Sequence, residues 1–323
     1  MPHDPVRPAA SVAVVGAGIS GIACAAELSR RGIAVQVIDR GRVPGGRMSS
    51  RHIDGRYVDT GASYLVARDH RFVAVVEDWQ RRGLARPWTS SFNVATSAGL
   101  GELRPGPTRW GAPGGLRSLV ADLAAGLVVQ QSVEVATVSA GPAVDGVSYD
   151  AVVLAMPGPQ ARRLIADELV QERESLSATT FDPVISLSAG WPDRSWPDSF
   201  DGAFVNDSKV LTWVADDGRR RGDGAPVLVS HSTSTFARQH LGDPQVAAPS
   251  MLAELSAVLS IAAAPQWQHV QRWTFAKPAG PRAETFHLGP AMVGLCGDGW
   301  GESKVEAAWL SGHLLAQELA GRL

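Results

Sequence analysis

Cysteine is nearly absent: Cys24 and Cys296 are the only two. They lie far apart in apolar surroundings, which predicts buried free thiols in a reducing cytoplasm and excludes a disulfide framework. Charge of one sign is also missing. The formal net charge is −2 with acidic and basic residues mixed, so no basic stripe exists for a nucleic-acid partner to release counterions from. No apolar run approaches the roughly 18 residues of a membrane span, so no membrane partner is expected. The eight histidines show no metal-ligand spacing and H-x-x-x-H does not occur, so no metal is expected. The opening "MPHDPVRPAA" has no charged-then-apolar secretory pattern and reads as a short disordered lead-in. With 45% hydrophobic residues in 323, the chain reads as a cytoplasmic α/β protein large enough for two domains.

The first chemistry-bearing stretch is "SVAVVGAGISGIACAAELSRRGIAVQVIDR" at 11–40. An apolar run, a glycine turn, a 3.6-periodic helix and a second apolar run form one βαβ unit. Gly16 permits the tight turn, Gly18 lets backbone approach a pyrophosphate, and Gly21 lets helix pack on strand. The helix N-terminus at Ile19 and Ser20 offers free N–H groups to phosphate. Asp39, at the end of the second strand, is placed to accept hydrogen bonds from a ribose. Together these predict an NAD(P)- or FAD-type dinucleotide site.

"GGRMSSR" at 45–51 chooses between dinucleotides. Gly45 and Gly46 allow a second close backbone approach, and Arg47 supplies a planar fork for phosphate. A pyridine-nucleotide dehydrogenase has no obvious use for a second clamp; a flavin dinucleotide held along its length does.

The glycine fingerprint, the strand-end acid and Gly-Gly-Arg together resemble the glutathione-reductase-like FAD flavoproteins that include the amine oxidases. Four further stretches resemble the renalase-like flavoproteins: "YVDTGASYLVARD" (57–69), "WGAPGGLRSLVADLA" (110–124), "VVLAMPGPQARRLI" (152–165) and "CGDGWGESKVEAAWLSG" (296–312). The resemblance implies noncovalent FAD, with Arg40 and Met48 beside the Asp39 and Arg47 contacts. It implies that Gly61, Ala62 and Ser63 pass beside the flavin ring and that Val135, in an expected strand at 133–138, touches adenine. It also implies that Gly297 and Asp298 meet the ribityl chain, and that a helix from about residue 303 brings Lys304, Val305 and Ala308 toward the pyrimidine edge.

The expected architecture is α/β: a Rossmann-like FAD-binding domain (1–65, 105–160, 275–323) with a discontinuous α+β substrate domain on an antiparallel sheet (66–104, 161–274). Helices are expected at 70–82, 116–127, 234–241 and 244–259, and strands at "VISLSAGW", "GAFVND", "KVLTWVAD", "PVLVSHST" and 268–274. Tyr64, Trp213, His231 and Trp273 are the candidates for a substrate pocket, with Phe275 and Trp300 as further aromatic walls. "RRR" at 219–221 reads as a solvated turn, with a site for substrate phosphates as its functional alternative, and Asp216 and Asp217 stand where the family tends to carry an amide that reads substrate. Three functions stay open. The first is a renalase-like oxidase moving a hydride from a dihydronicotinamide isomer to FAD and electrons on to dioxygen, releasing hydrogen peroxide. The others are an amine oxidase or another flavin oxidoreductase of the same fold, and a non-catalytic flavin-binding protein. The partners expected are a small-molecule substrate and dioxygen, in a monomer or weak homo-oligomer.

Overall fold

Three valines and an alanine in succession make Ser11–Val15 a strand covered on both faces, and this strand organises the first of two units. The computed structural model describes residues 10–177 and 180–323; the expected lead-in at 1–9 lies outside the described residues. Chain segments ending at Gly46, spanning Val120–Thr180 and spanning Pro278–Leu323 cluster as one unit, and Arg47–Leu119 with Phe181–Lys277 as the other.

The first unit carries a six-stranded sheet in the order His287–Leu288, Val293–Leu295, Ala151–Leu154, Ser11–Val15, Ala34–Ile38, Val128–Gln130. Every neighbouring pair is parallel except the first, as expected for a Rossmann-like sheet. The helices Ile19–Arg30 and Val305–Arg322 pack closely. A Cβ at Gly312 would fall 1.8 Å from the Ser20 carbonyl oxygen, so only glycine admits this approach. Cys24 and Cys296 are buried free thiols. Burial pushes Cys24 well up and Cys296 up to about 12, so both stay protonated.

The expected strand at 133–138 does not form. Only Val138–Ser139 joins a small sheet with Ala143–Val144 and Val147–Ser148. The Asp145 carboxylate takes the backbone N–H groups of Ala136 (3.0 Å) and Thr137 (2.8 Å), so a side chain satisfies donors that a ladder would have used. Val135 is still buried in this unit's core.

The second unit is built on a seven-stranded sheet ordered Trp267–Pro278, Phe181–Gly190, Val227–Ser232, Leu211–Asp216, Gly202–Val205, Arg86–Thr96, Gly99–Gly111. It is mostly antiparallel; Gly202–Val205 and Arg86–Thr96 pair in parallel. The helix Ala248–Leu259 buries Met251, Leu255 and Val258 in a core with Ile185, Leu187 and Val214.

The expected boundaries shift in four places, the smallest being 275–277, which stay with the second unit. Residues 47–65 fall in the second unit, where Asp59 pairs with Arg221 at 3.1 Å. Residues 105–119 join it too, because Gly99–Gly111 is an edge strand of its sheet. Residues 161–177 stay with the first unit, where Ile165, Leu169 and Leu176 enter the core. Helices are also shorter than their periodicity predicts. The expected 116–127 ends at Leu123, 234–241 ends at Gln239, and 244–259 divides into a 3₁₀ turn, Pro244–Ala247, and the α-helix Ala248–Leu259. The last strand, expected at 268–274, extends over Trp267–Pro278, and the last helix starts at Val305.

Candidate functional site

In the first unit the glycine turn has the geometry that a phosphate needs. Gly16 has φ +114°, and a Cβ there would sit 2.4 Å from the Ala155 carbonyl oxygen. A Cβ on Gly21 would lie 1.9 Å from the Gly16 carbonyl oxygen, so the helix rests directly on the turn. Gly18 is different: a Cβ there would meet nothing within 4 Å. Gly18 is also the N-cap of Ile19–Arg30, with no side-chain cap and no acid in the first turn. An uncapped helix end over open space suits an anionic group, so the residues present fit a dinucleotide pyrophosphate.

The Gly-Gly pair folds back onto this turn. Gly45 donates to the Ala17 carbonyl at 2.9 Å, and Gly46, at φ +51°, lies with its missing Cβ 3.3 Å from Gly18 Cα. Asp39 accepts from the backbone N–H groups of Ala17 and Gly41, both at 2.5 Å, which fixes its carboxylate beside the turn. Gly297, at φ +141°, donates to Ser311 Oγ at 2.9 Å. Asp298 is buried and opens a 3₁₀ turn that ends at Trp300. Lys304 is the N-cap of the final helix, which again has no side-chain cap; its ammonium pairs with Glu302.

Trp300 is the one aromatic candidate in the first unit. It lies in the first unit's core, with the Arg282 guanidinium 4.1 Å above its ring and His287 stacked at 5.9 Å.

In the second unit one short segment, 60–64, gathers the remaining candidates. Trp273 Nε1 donates to the Thr60 carbonyl at 2.7 Å, and Trp213 Nε1 donates to Ser63 Oγ at 2.9 Å. Arg220 Nη1 donates to the Ser63 carbonyl at 2.7 Å. His231 pairs opposite Trp213 across two strands, and its ring faces the Gly61 backbone. Tyr64 lies 5.8 Å from Trp213, 5.4 Å from Phe92 and 6.2 Å from Trp88. Phe275 meets Phe181 edge-on at 6.5 Å. Gly61 is small because of Arg47: a Cβ would fall 1.9 Å from the Arg47 carbonyl oxygen, while Ala62 N–H donates to that same oxygen at 2.9 Å. Arg47 Nη1 donates to the Ala276 carbonyl at 2.9 Å, which anchors the guanidinium. Met48 is buried.

The "RRR" stretch and its two preceding acids are not a solvated, substrate-reading turn. Arg220 and Arg221 are buried on the short helix Asp217–Arg221. Asp217 pairs with Arg56 at 2.7 Å, Arg221 at 3.0 Å, and Arg220. Asp59 pairs with Arg221 at 3.1 Å and with Arg220 at 3.6 Å. Burial alone would raise the Asp217 carboxyl; Arg220, Arg221 and Arg56 outweigh it and hold it well below the usual carboxylate range. Asp216 is committed elsewhere, to Arg194, to Trp196 Nε1 at 2.7 Å and to the Arg219 N–H at 2.8 Å. Both acids are structural. The sequence missed this because the acids' partners Arg56, Arg194 and Trp196, and the Asp59 that shares Arg220 and Arg221 with Asp217, come from other segments.

Burial, followed by the Arg220 and Lys277 cations, pushes His231 down to about 4 against the opposing Gly61 backbone. The folded protein resists protonating it, whereas the unfolded chain binds that proton below about pH 6.5. Stability conferred by this histidine is therefore complete above 6.5 and drains away as pH falls from 6.5 toward 4. We expect His231→Gln to flatten the Tm–pH curve in that window; an unchanged slope would remove His231 as its source.

Among the described residues no group of histidine, cysteine, aspartate and glutamate could hold a metal ion, and no helix is long and apolar enough to cross a membrane.

A mostly parallel sheet with a glycine turn in one unit and a mixed seven-stranded sheet in the other define the Rossmann-like, dinucleotide-binding class of fold. Residues 14–79 match the NAD(P)-binding Rossmann-like domain family, and residues 101–320, more than half of the chain, match the flavin containing amine oxidoreductase family. The chain belongs to that flavin-containing amine oxidoreductase family, and its cofactor is FAD. Among curated proteins it is 42% identical over 57 residues to hydroxyneurosporene desaturase of Rubrivivax gelatinosus, covering 18% of this chain and 11% of that one. It is 48% identical over 66 residues to lysine-specific histone demethylase 1 homolog 2 of Oryza sativa subsp. japonica, covering 20% and 9%. The matched segment thus spans about a tenth of these relatives. Two solved structures share the fold across nearly their whole length. One is a putative protoporphyrinogen oxidase from Exiguobacterium sp. 255-15, at TM-score 0.78 and 14% identity, covering 97% of this chain and 99% of that one. The other is cyclohexylamine oxidase from Brevibacterium oxydans IH-35A, at TM-score 0.75 and 13% identity, covering 98% and 99%.

Proposed function

We propose that this chain is a renalase-like FAD-dependent oxidase that takes a hydride from a small planar substrate, with dihydronicotinamide isomers as the first substrate class. Electrons then pass to dioxygen, giving hydrogen peroxide. The observation that carries this reading is the convergence of Tyr64, Trp213, His231 and Trp273 on segment 60–64, where the family resemblance puts backbone beside the flavin. FAD supplies the hydride acceptor and the centre that reacts with oxygen.

The chain's own residues bind and orient. Gly16, Gly18, Ile19, Ser20 and Gly21 present the uncapped helix end to the pyrophosphate, joined by Gly46, Arg47 and Met48. Asp39, Arg40 and Val135 serve the adenosine half, and Gly61, Ala62 and Ser63 line the ring. Gly297 and Asp298 hold the ribityl chain. The helix end at Lys304, Val305 and Ala308 favours electron density at the pyrimidine edge. Tyr64 and Trp213 offer flat faces to a planar substrate, and Trp273 fixes the Thr60 carbonyl. His231 stays neutral at physiological pH, so it serves as a hydrogen-bonding wall rather than a charged acid. Amine oxidation is the second reading, supported by family membership.

Anaerobic bleaching of the flavin band with a substrate panel separates the two readings. Wrong-position dihydronicotinamides should bleach it, while ordinary NADH and primary or secondary amines should not; bleaching by amines alone would sink the renalase-like reading. Arg47→Ala should weaken FAD retention by about 1.5–3 kcal/mol, roughly ten- to a hundredfold, through loss of a charge-assisted partner. Flavin content per chain checks this, and full loading in the variant would dismiss the clamp.

A further inference from the structure

Three arginines are buried among the described residues: Arg109, Arg220 and Arg221. Two are neutralised by Asp59 and Asp217. Arg109 has no carboxylate, although it is only 9% exposed. A buried unpaired cation costs several kcal/mol, so some group must offset that cost.

The neighbours of Arg109 leave its hydrogen-bonding edge only partly spent: the neutral Tyr64 phenol hydrogen-bonds to it but supplies no counter-charge. The Phe92 ring centroid lies 3.9 Å from its guanidinium carbon and the Tyr64 ring 6.0 Å away. Stacking on Phe92 uses the face of the guanidinium, not its in-plane N–H groups. Gly106 makes room for it: a Cβ there would meet Nη2 at 2.6 Å. Nη1 is buried without a hydrogen-bond partner. The adjoining strand adds a second buried donor in the same condition, Trp88 Nε1. Trp88 lies at a register shift between Pro87 and Thr89, whose partners are Trp110 and Arg109, and its ring is 5.2 Å from Phe92. Arginine and tryptophan side chains donate and cannot accept. An acceptor-rich anion would satisfy both and would also balance the Arg109 charge.

We propose that Arg109 and Trp88 form an oxyanion subsite, so that the substrate of the aromatic site around Tyr64 carries a carboxylate or phosphate group. This rests on the reading above that the Tyr64 group faces substrate. It narrows the substrate class: the ring stacks on aromatic faces while its acidic substituent takes the Arg109 fork and the Trp88 indole N–H.

The test uses the FAD-loaded protein and three probes of one shape: benzoate, phenyl phosphate and neutral benzamide. Binding is read by perturbation of the flavin band and by tryptophan fluorescence. One or both anions should bind at least tenfold more tightly than benzamide, and whichever of the two wins identifies the carboxylate or phosphate source. Arg109→Met and Trp88→Phe should each erase that preference, with Arg109→Lys restoring part of it in the first case. If Arg109→Met does not fold, Trp88→Phe, which removes only the N–H, carries the decision. Equal binding of anions and benzamide by the native protein overturns the proposal. So does a preference that persists in the variants, or loss of FAD from Arg109→Met with no anion preference in the parent. Failure of dihydronicotinamides to bleach the flavin would overturn the oxidase reading alone, because the fluorescence titration needs no turnover.

Discussion

Asp217→Asn should be among the most destabilising single substitutions in the second unit. The side chain has no exposure and holds Arg56, Arg220 and Arg221 at once. Removing its charge leaves only Asp59 to balance Arg220 and Arg221, and breaking a buried ion network in this way costs about 3–5 kcal/mol. For a domain of this size that is a drop of roughly 10 °C in Tm, measurable by scanning calorimetry; a shift under about 2 °C would mean that Asp59 alone suffices. The pH dependence follows from the direction of its titration. A carboxyl held low in the folded state stabilises above its unfolded pKa of about 3.9, and that contribution is lost as pH falls below it. Acid unfolding should therefore come in two stages, a His231 stage between 6.5 and 4 and a steeper Asp217 stage below. The variant should lose the second stage and keep the first.

Gly312→Ala should be nearly as costly in the first unit. The added methyl would fall 1.8 Å from the Ser20 carbonyl oxygen and 2.7 Å from its carbon. Both are backbone atoms in the first turn of Ile19–Arg30, so nothing can rotate away, and the two helices must move apart. Overpacking of this kind costs about 3 kcal/mol at its upper end. The neighbouring Ser311 holds the Gly297 N–H, so the shift also displaces the Gly297 and Asp298 segment. The expected protein purifies with little flavin and a lowered Tm. A variant with parental Tm and full yellow colour would show that the helix slides without cost.

The βαβ start was legible because its signals are local. Alternation of apolar run, glycine turn and periodic helix lies within 11–40, and the structure follows it closely. The strands of the second unit from "VISLSAGW" to "PVLVSHST" were legible for the same reason: each is a short, largely apolar run bounded by turn residues. The long hairpin Arg86–Thr96 and Gly99–Gly111 was not. Its second strand is largely exposed and reads "GLGELRPGPTRWG", in which glycine and proline mimic a loop. Extended pairing with the first strand overrides that composition. The Val133 region fails in the opposite sense, since its alternation promised a strand but Asp145 claimed the donors.

The site divides along similar lines. Glycine spacing located the turn at 16–21 to which the proposed pyrophosphate site is assigned. The gathering of Tyr64, Trp213, His231 and Trp273 onto 60–64 depends on hydrogen bonds between residues about 150 to 210 positions apart, which no local pattern encodes. Arg109 escaped notice because a single arginine between a proline-rich turn and a tryptophan carries no periodic signal. Its significance comes only from burial without a counter-ion. The Asp216 and Asp217 departure illustrates the converse: a difference from a family pattern invites a functional reading, while remote arginines give it a structural one.

The two protonated thiols of the first unit have a practical meaning. Neither Cys24 nor Cys296 presents a thiolate or an accessible sulfur, so an alkylating reagent or peroxide meets a chemically silent molecule while that unit stays closed. Each modification then records one opening event, which makes the cysteine pair a built-in clock for the unit that carries the glycine turn.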